Sequence, residues 1–256
     1  MRKYGYLVVE GPHDVEFAHR LLSPYGLKRV QYMRNLDPFF LNLIPRDYPP
    51  NDDLQKRVPV PLFLQSDTHV IALHSAIGDS RLVASIEESC SIIKQGDLTG
   101  IGLLLDSDKV IPVHKRYTNL KEQMTAKGFV LDDKPAVICP GSPKIGAFVL
   151  PDNASQGTLE DLLLDCAGIV YPKLLASAEA YVMSAMDASL NKDDLEEIQK
   201  PAGKSKAIIG AMANIMRPGK AVQVSIQDNR WLRGDALSLQ RIKEVQEFLA
   251  TLYDLV

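Results

Sequence analysis

The chain has 256 residues, of which 46% are hydrophobic and 24% are charged, as in globular proteins with a sizeable core. This length suits one large domain or two modest ones. The formal net charge of −3 gives no overall attraction to nucleic acid or to an anionic membrane. Any binding of that kind therefore requires local basic patches.

The cysteines indicate the compartment. Cys90, Cys139 and Cys166 are far apart and odd in number, and no CxxC pair is present. This pattern argues against a zinc ribbon and against a disulfide framework. The first apolar run is too short for a signal peptide, and no stretch approaches the ~20 apolar residues that span a bilayer. We therefore predict a cytoplasmic protein with reduced thiols and no membrane association.

Short apolar runs alternate with segments of helical periodicity. This alternation predicts an α/β fold with a mainly parallel, Rossmann-like sheet flanked by helices. The predicted strands are Tyr6–Glu10, His69–Leu73, Ile101–Asp106, Ala136–Cys139 and Gly146–Leu150.

Helical segments connect and follow these strands. The predicted helices are Asp14–Leu22, Asp79–Lys94, Val113–Lys127, one that begins after Thr158 and a terminal one that begins near Asp235. Thr158 with an acid three residues later is typical of a helix N-cap. From about residue 171 the pattern predicts a mostly helical carboxy-terminal extension, with a break at residues 201–203.

Residues 37–66 are rich in proline and cannot form a long helix. Because proline cannot donate to a ladder, we expect this segment to lie outside the sheet core, as an insertion or lid over or beside the crevice. In particular, Pro59–Leu64 is not expected to be an internal strand. No repeat or second domain is visible, so we predict a single domain over residues 1–256.

Two predicted strands end in carboxylates. Glu10 and Asp14 follow the first strand, whereas Asp106 and Asp108 follow the strand of Leu103, Leu104 and Leu105. Open α/β sheets bind ligands beyond the carboxyl ends of their strands. We therefore expect Glu10 and Asp106 on adjacent parallel strands. A separation of their carboxyl groups above about 10 Å, well beyond the reach of bridging metals, would contradict a shared site.

Crowded carboxylates repel one another unless a cation neutralises them. Hard oxygen ligands without a nearby His/Cys cluster favour Mg²⁺ or Mn²⁺ over zinc. The alternative is structural, because a Glu-Gly-Pro strand exit and an Asp-x-Asp cap are common loop patterns when either occurs alone.

The strand followed by "EGxxD" and the strand followed by "DxD" resemble the Toprim fold of topoisomerases, bacterial primases, small ribonucleases and the overcoming-lysogenization-defect (OLD) nucleases. Glu10, Gly11 and Asp14 match the first motif, and Asp106 and Asp108 match the second. Residues 146–164 and 204–221 are similar to the later part of the OLD-like branch, especially to its small stand-alone relatives of undefined function.

The resemblance implies a Mg²⁺- or Mn²⁺-dependent phosphoryl-transfer protein, specifically a nuclease acting on DNA or RNA. It implies metal binding by Glu10, Asp14, Asp106 and Asp108, with proton transfer by Glu10. Glu160 and Asp161 correspond to further acids of that branch, and Lys206 to a basic residue near the reacting phosphate. Glu160 and Asp161 are explained equally well as first-turn acids that the helix dipole favours.

Other features of the resemblance concern partners. The chain lacks the ATPase domain of full OLD proteins, so a separate ATPase partner is one expectation. A homo-oligomer is left open. The alternative function is a Toprim-like regulatory module that binds a metal or nucleotide and cleaves nothing. The two differ in whether the four acids of the EGxxD and DxD motifs share one pocket.

Overall fold

The structure is a computed structural model, and it describes residues 2–46, 52, 60–186 and 190–255. Within this part of the chain, one sheet contains the strands β1 (Lys3–Val9), β2 (Lys28–Arg29), β3 (Leu62–Gln65), β4 (His69–Ser75), β5 (Leu98–Asp106) and β6 (Lys144–Leu150). Their order in the sheet is β2-β3-β4-β1-β5-β6. The central strand β1 pairs in parallel with β4 and with β5, whereas β3 is antiparallel to β2 and β4.

Helices flank this sheet and make up most of the carboxy-terminal part. They are α1 (Pro12–Leu22), α2 (Leu82–Ile92), α3 (Val113–Ala126), α4 (Leu159–Val170), α5 (Pro172–Met186), α6 (Lys192–Gln199), α7 (Gly203–Met216), α8 (Val222–Gln227) and α9 (Gln240–Tyr253). The predicted α/β class, with a mostly parallel sheet and a helical carboxy-terminal part, is confirmed. In the described part of the chain no helix is long and apolar enough to cross a membrane.

The proline-rich segment contributes a strand to the sheet, which corrects the expectation for residues 37–66. Strand β3 begins at Leu62 and lies between β2 and β4, so it is an internal strand. Its four residues contain no proline, and Pro61 immediately precedes them, where a missing N–H costs no ladder hydrogen bond. Pro59, the start of the disfavoured strand, lies outside the described residues.

The predicted strand Ala136–Cys139 is also wrong. Only an isolated bridge joins Cys139 to Ile145, and the N–H of Ala136 donates to the carbonyl of Ala147 at 2.8 Å. Ala136 adopts a left-handed backbone with φ of +62°, which interrupts an extended strand. This segment therefore touches β6 at two points without forming a continuous ladder.

The chain divides into two compact units. The first comprises Met1–Leu105, Tyr117–Phe148 and Glu247–Val256. In its core the end of α9 packs closely on the sheet, where Gly102 leaves room for it. A Cβ at Gly102 would lie 2.8 Å from a methyl carbon of Leu252 and 2.9 Å from the hydroxyl of Tyr253. That hydroxyl donates to the carbonyl of Tyr6 in β1 at 3.0 Å.

The second unit comprises Asp106–Arg116 and Val149–Gln246. Its helices α4, α5 and α7 pack against one another, and α6 and α8 pack against α7. Trp231 is fully buried, and its indole N–H donates to the hydroxyl of Ser225 at 2.8 Å, so the largest core side chain is also satisfied as a donor.

Candidate functional site

The two strands that precede the acidic motifs are neighbours. β1 and β5 run parallel with Val9 opposite Leu104, Glu10 follows β1 directly, and Asp106 is the last residue of β5. The expectation that the two acids terminate adjacent parallel strands is therefore confirmed. The separation of their carboxyl groups stays a prediction.

In the first unit, the acid-rich turn after β1 begins helix α1. Asp14 is only 8% exposed, and its carboxylate accepts a hydrogen bond from the N–H of Gly11 at 2.9 Å. Pro12 occupies the first turn, where its missing N–H is harmless. The carbonyl of Glu10 accepts from the N–H of Gly78 at 3.0 Å, which ties the end of β1 to the loop after β4. Asp14 thus caps the beginning of helix α1.

In the second unit, Asp106 contacts the beginning of helix α4. Its Oδ1 accepts from the N–H of Leu159 at 2.9 Å, so this carboxylate satisfies one of the free donors of the helix N-terminus. The guanidinium of Arg116 donates to the backbone carbonyl of Asp106 at 3.1 Å. The end of β5 is therefore linked to α4 and to a cation near the beginning of α3.

Ser107 connects the end of β5 to the loop before α4. Its hydroxyl is fully buried, accepts from the N–H of Gly157 at 2.7 Å and lies 3.1 Å from the carbonyl of the same residue. Asp108 follows with a left-handed φ of +61° and forms a bridge with Gly157. Asp and Asn tolerate this conformation better than other non-glycine residues. The Asp-x-Asp motif is thus held by the bridge between Asp108 and Gly157 and by the buried hydroxyl of Ser107.

Asp161 lies in a small polar cluster at the first turn of α4. It accepts from the N–H of Thr158 at 2.9 Å, forms an ion pair with Lys109 at 3.0 Å and lies 3.4 Å from the hydroxyl of Ser205. Lys109 also donates to Ser205 at 3.0 Å. Glu160, beside Asp161, is 8% exposed. Both acids occupy the first turn, as the dipole explanation requires.

The structure places Lys109, and not the predicted Lys206, against one of the predicted acids. Lys206 is exposed on α7. Sequence reasoning missed Lys109 although it follows Asp108 directly in "DSDK". Arg116 lies in the basic stretch 115–121, a pattern that is compatible with contacts to a nucleic-acid backbone and more often is a solvated helix face. Spacing alone does not mark Lys109, because its partners Asp161 and Ser205 come from distant parts of the chain.

A further acid lies just after β6 in the second unit. Burial raises the pKa of Asp152, but the N–H groups of Ser155 and Ala154 and the guanidinium of Arg241 outweigh it and hold the pKa below its usual value. Arg241 also pairs with Asp165 at 3.1 Å. Asp152 is therefore a charged structural anchor at the carboxyl end of its strand.

The cysteines are poor candidates for nucleophiles. Burial raises the pKa of Cys166 to about 12 and that of Cys90 to about 11, so both remain thiols at neutral pH. Burial also raises the pKa of the Cys139 thiol, so none of the three cysteines is an activated thiolate.

The donor set at the strand ends consists of carboxylates, which suits Mg²⁺ or Mn²⁺. Among the residues that the structure describes, however, no group of three or more His, Cys, Asp or Glu side chains is arranged to hold a metal ion. Mg²⁺ commonly binds through one or two protein carboxylates, with water and substrate phosphate completing its shell. The described residues therefore do not form a preformed metal cage. They suit a metal ion that would bind together with its substrate.

The comparisons with known proteins address family and fold. The family described as protein of unknown function (DUF3226) matches residues 4–254, and the chain belongs to it. No curated protein is significantly similar to the sequence. The crystal structure of a hypothetical protein from Pyrococcus horikoshii OT3 is similar, with a TM-score of 0.52 and 15% identity, over 100% of this chain and 96% of that one. At this identity the likeness shows the fold alone.

Proposed function

We propose that this member of the DUF3226 family is a Mg²⁺- or Mn²⁺-dependent phosphoryl-transfer protein of the Toprim type, and specifically a nuclease that cleaves DNA or RNA. The observation that carries the proposal is the position of two acids on adjacent parallel strands. Glu10 directly follows β1, and Asp106 is the last residue of β5. Carboxyl ends of neighbouring parallel strands are where α/β folds bind ligands.

The resemblance implies Glu10, Asp14, Asp106 and Asp108 as metal ligands. Because Mg²⁺ commonly uses only one or two protein carboxylates, we propose Asp106, the last residue of β5, as the principal ligand. Asp106 accepts from the N–H of Leu159 and Asp14 accepts from the N–H of Gly11, so backbone donors orient both carboxylates. When bound, the metal would stabilise negative charge on the phosphate oxygens and lower the pKa of water.

The remaining chemistry belongs to side chains of the chain itself. Glu10 is proposed to accept a proton from the attacking water at its carboxylate. A cation near the phosphate would offset its growing negative charge. Lys109 is better supported in this role than Lys206, because it already contacts Asp161 at the first turn of α4.

The wider context follows from the resemblance to OLD-like nucleases and is part of the proposal. Nucleic acid is the proposed substrate, a separate ATPase the proposed partner, and the cytoplasm the proposed location. The net charge of −3 requires that contacts with phosphates come from local groups such as Arg116.

The test is a nuclease assay with Mn²⁺ or Mg²⁺ on single- and double-stranded DNA and RNA, combined with calorimetric titration of Mn²⁺. Asp106→Asn should abolish cleavage and weaken Mn²⁺ binding, since the amide keeps an acceptor for the N–H of Leu159 but loses the charge. Glu10→Gln should also abolish cleavage. Asp193→Asn, an exposed acid on α6, is the matched control and should leave both measurements unchanged.

Two outcomes contradict the proposal. Equal residual cleavage by the wild type and Asp106→Asn would identify a contaminating nuclease. Absence of Mn²⁺ binding at millimolar concentration, with or without oligonucleotide, would remove the metal-dependent mechanism.

The second candidate is a regulatory module that binds a metal or nucleotide without cleaving anything. It is favoured because three of the acids have a structural role. Asp14, Asp106 and Asp161 all accept hydrogen bonds from backbone N–H groups at the beginnings of helices. Mn²⁺ binding that is lost in Asp106→Asn, without cleavage of any of the four substrates, would favour this module.

A further inference from the structure

The first unit contains an open surface cavity of about 730 Å³ beside the edge strand β2. Its lining includes three cations, Arg2, Lys28 and Arg29, together with Tyr25 and Tyr32. The volume lies within the 300–1,000 Å³ that small-molecule sites commonly occupy. Cations and aromatic rings together are the groups that recognise phosphates and bases.

This cavity is distant from Glu10, the proposed proton acceptor. Arg2 precedes β1 and Thr68 precedes β4, so the cavity lies where these parallel strands begin. Glu10 lies eight residues beyond Arg2 along β1, or about 26 Å at roughly 3.3 Å per residue. A ligand bound here would therefore be separate from the proposed nuclease site.

Two of the cations are fixed by buried acids. Arg29 donates to both carboxylate oxygens of Glu16, at 2.5 and 2.6 Å, and Arg2 donates to Asp37 at 2.9 Å. Glu16 is 8% exposed and Asp37 9%. A guanidinium has five N–H donors, so each arginine keeps donors for an anion after binding its acid. The carboxylates thus orient the arginines before any ligand arrives.

The pKa values of these acids agree with stable ion pairs. Burial raises the pKa of Glu16, but hydrogen bonds from His19 and Arg29 outweigh it and lower the pKa below its usual value. Burial likewise raises the pKa of Asp37, and the N–H of Phe39 and the guanidinium of Arg2 outweigh it. Both acids are therefore charged at neutral pH and hold their arginines in place.

The aromatic part of the cavity is accessible. Tyr32 is 50% exposed, and the guanidinium of Arg34 lies 4.8 Å from the centre of its ring. A ring supported by a cation and open to solvent is suited to stacking a flat heterocycle. Lys28, which is exposed, and Asp67, which supplies an acceptor, belong to the same lining.

We propose that this cavity binds a mononucleotide. The phosphate contacts Arg2, Lys28 and Arg29, and the base stacks on Tyr32. Asp67 accepts hydrogen bonds from hydroxyl groups of the ribose. The cations alone would bind any phosphate, whereas the exposed ring beside them selects a phosphate that carries a base. The inference is independent of nuclease activity, because no residue of the cavity belongs to the acidic motifs.

The test is isothermal titration calorimetry with AMP, GMP, CMP and UMP, in EDTA so that no divalent metal contributes. We expect one site per chain for at least one of the four. Lys28→Gln and Tyr32→Ala should each weaken binding roughly tenfold or more, because they remove a charged phosphate contact or a stacking surface. Both side chains are exposed, so the melting temperature should not change.

The matched controls are Lys243→Gln on α9 and Tyr181→Ala on α5, which alter exposed residues of the same types outside the cavity. Both should bind like the wild type. Asp106→Asn should also bind normally, which separates this site from the proposed nuclease.

Three results would overturn the proposal. They are no binding of any mononucleotide at millimolar concentration, equal binding of inorganic phosphate with no effect of Tyr32→Ala, and binding of single-stranded oligonucleotides alone. The second would leave a simple anion site, and the third a nucleic-acid surface.

Discussion

Ser107 provides the sharpest test of how the second unit is held together. Its hydroxyl is buried between the end of β5 and the loop before α4. Replacement by alanine removes the oxygen that accepts a hydrogen bond from the N–H of Gly157. It also removes the one hydrogen that the hydroxyl can donate, whose nearest acceptor is the carbonyl of Gly157 at 3.1 Å. The change deletes one oxygen atom and introduces no clash.

The magnitude follows from these contacts. Two hydrogen bonds contribute about 1 kcal/mol each, and leaving a buried N–H without an acceptor costs about 1–3 kcal/mol. These terms overlap, so we expect Ser107→Ala to lower the free energy of unfolding by about 2–3 kcal/mol. At about 2–4 °C per kcal/mol for a chain of this size, the melting temperature should fall by about 4–12 °C.

The assay is urea unfolding followed by circular dichroism, together with a thermal melt. The matched control is Ser177→Ala, because Ser177 donates to the carbonyl of Lys173 on an exposed face of α5 and should change stability by under about 0.5 kcal/mol. A Ser107→Ala variant as stable as this control would refute the tethering role of Ser107.

Three further predictions concern other parts of the chain. Asp152→Asn should destabilise the protein by about 1 kcal/mol at pH 7. The folded pKa of Asp152 lies below its unfolded value of about 3.9. The stability that the ionised carboxylate contributes is therefore fully present above the unfolded pKa and is lost as the pH falls through the folded pKa. The difference in unfolding free energy between the wild type and the variant should therefore shrink as the pH is lowered below the unfolded pKa. Gly102→Ala should cost about 1–3 kcal/mol in the same assay, since an added Cβ meets three atoms within 3 Å. Gly96→Ala, where an added Cβ meets nothing within 4 Å, should be near neutral. If the nuclease proposal holds, Lys109→Ala should lower turnover by roughly 10²-fold and Lys206→Ala by much less, and equal losses would contradict the assignment.

The sequence by itself determined the elements whose pattern is local. The apolar runs that lead to Glu10 and Asp106 form β1 and β5, because a strand buried on both faces needs consecutive apolar residues. Helix α4 begins after Thr158 with an acid at its third position, as the cap pattern predicted. Helix α3 ends near Gly128, whose φ of +81° suits glycine. The acids at the ends of adjacent strands followed from the same local patterns together with the rules of parallel sheets.

Only the tertiary structure decided what depends on partners far apart in the chain. Leu62–Gln65 forms a strand because β2 and β4 supply ladders on both sides, although the flanking prolines argued against it. Lys109 became the cation of the candidate site because folding brings it to Asp161 and Ser205, 52 and 96 residues away along the chain. The arginines of the β2 cavity are likewise oriented by buried acids on other elements. Ion pairs of this kind produce no periodic pattern in the sequence. Their free energy depends on the distance between two side chains and on their burial, and not on their spacing along the chain.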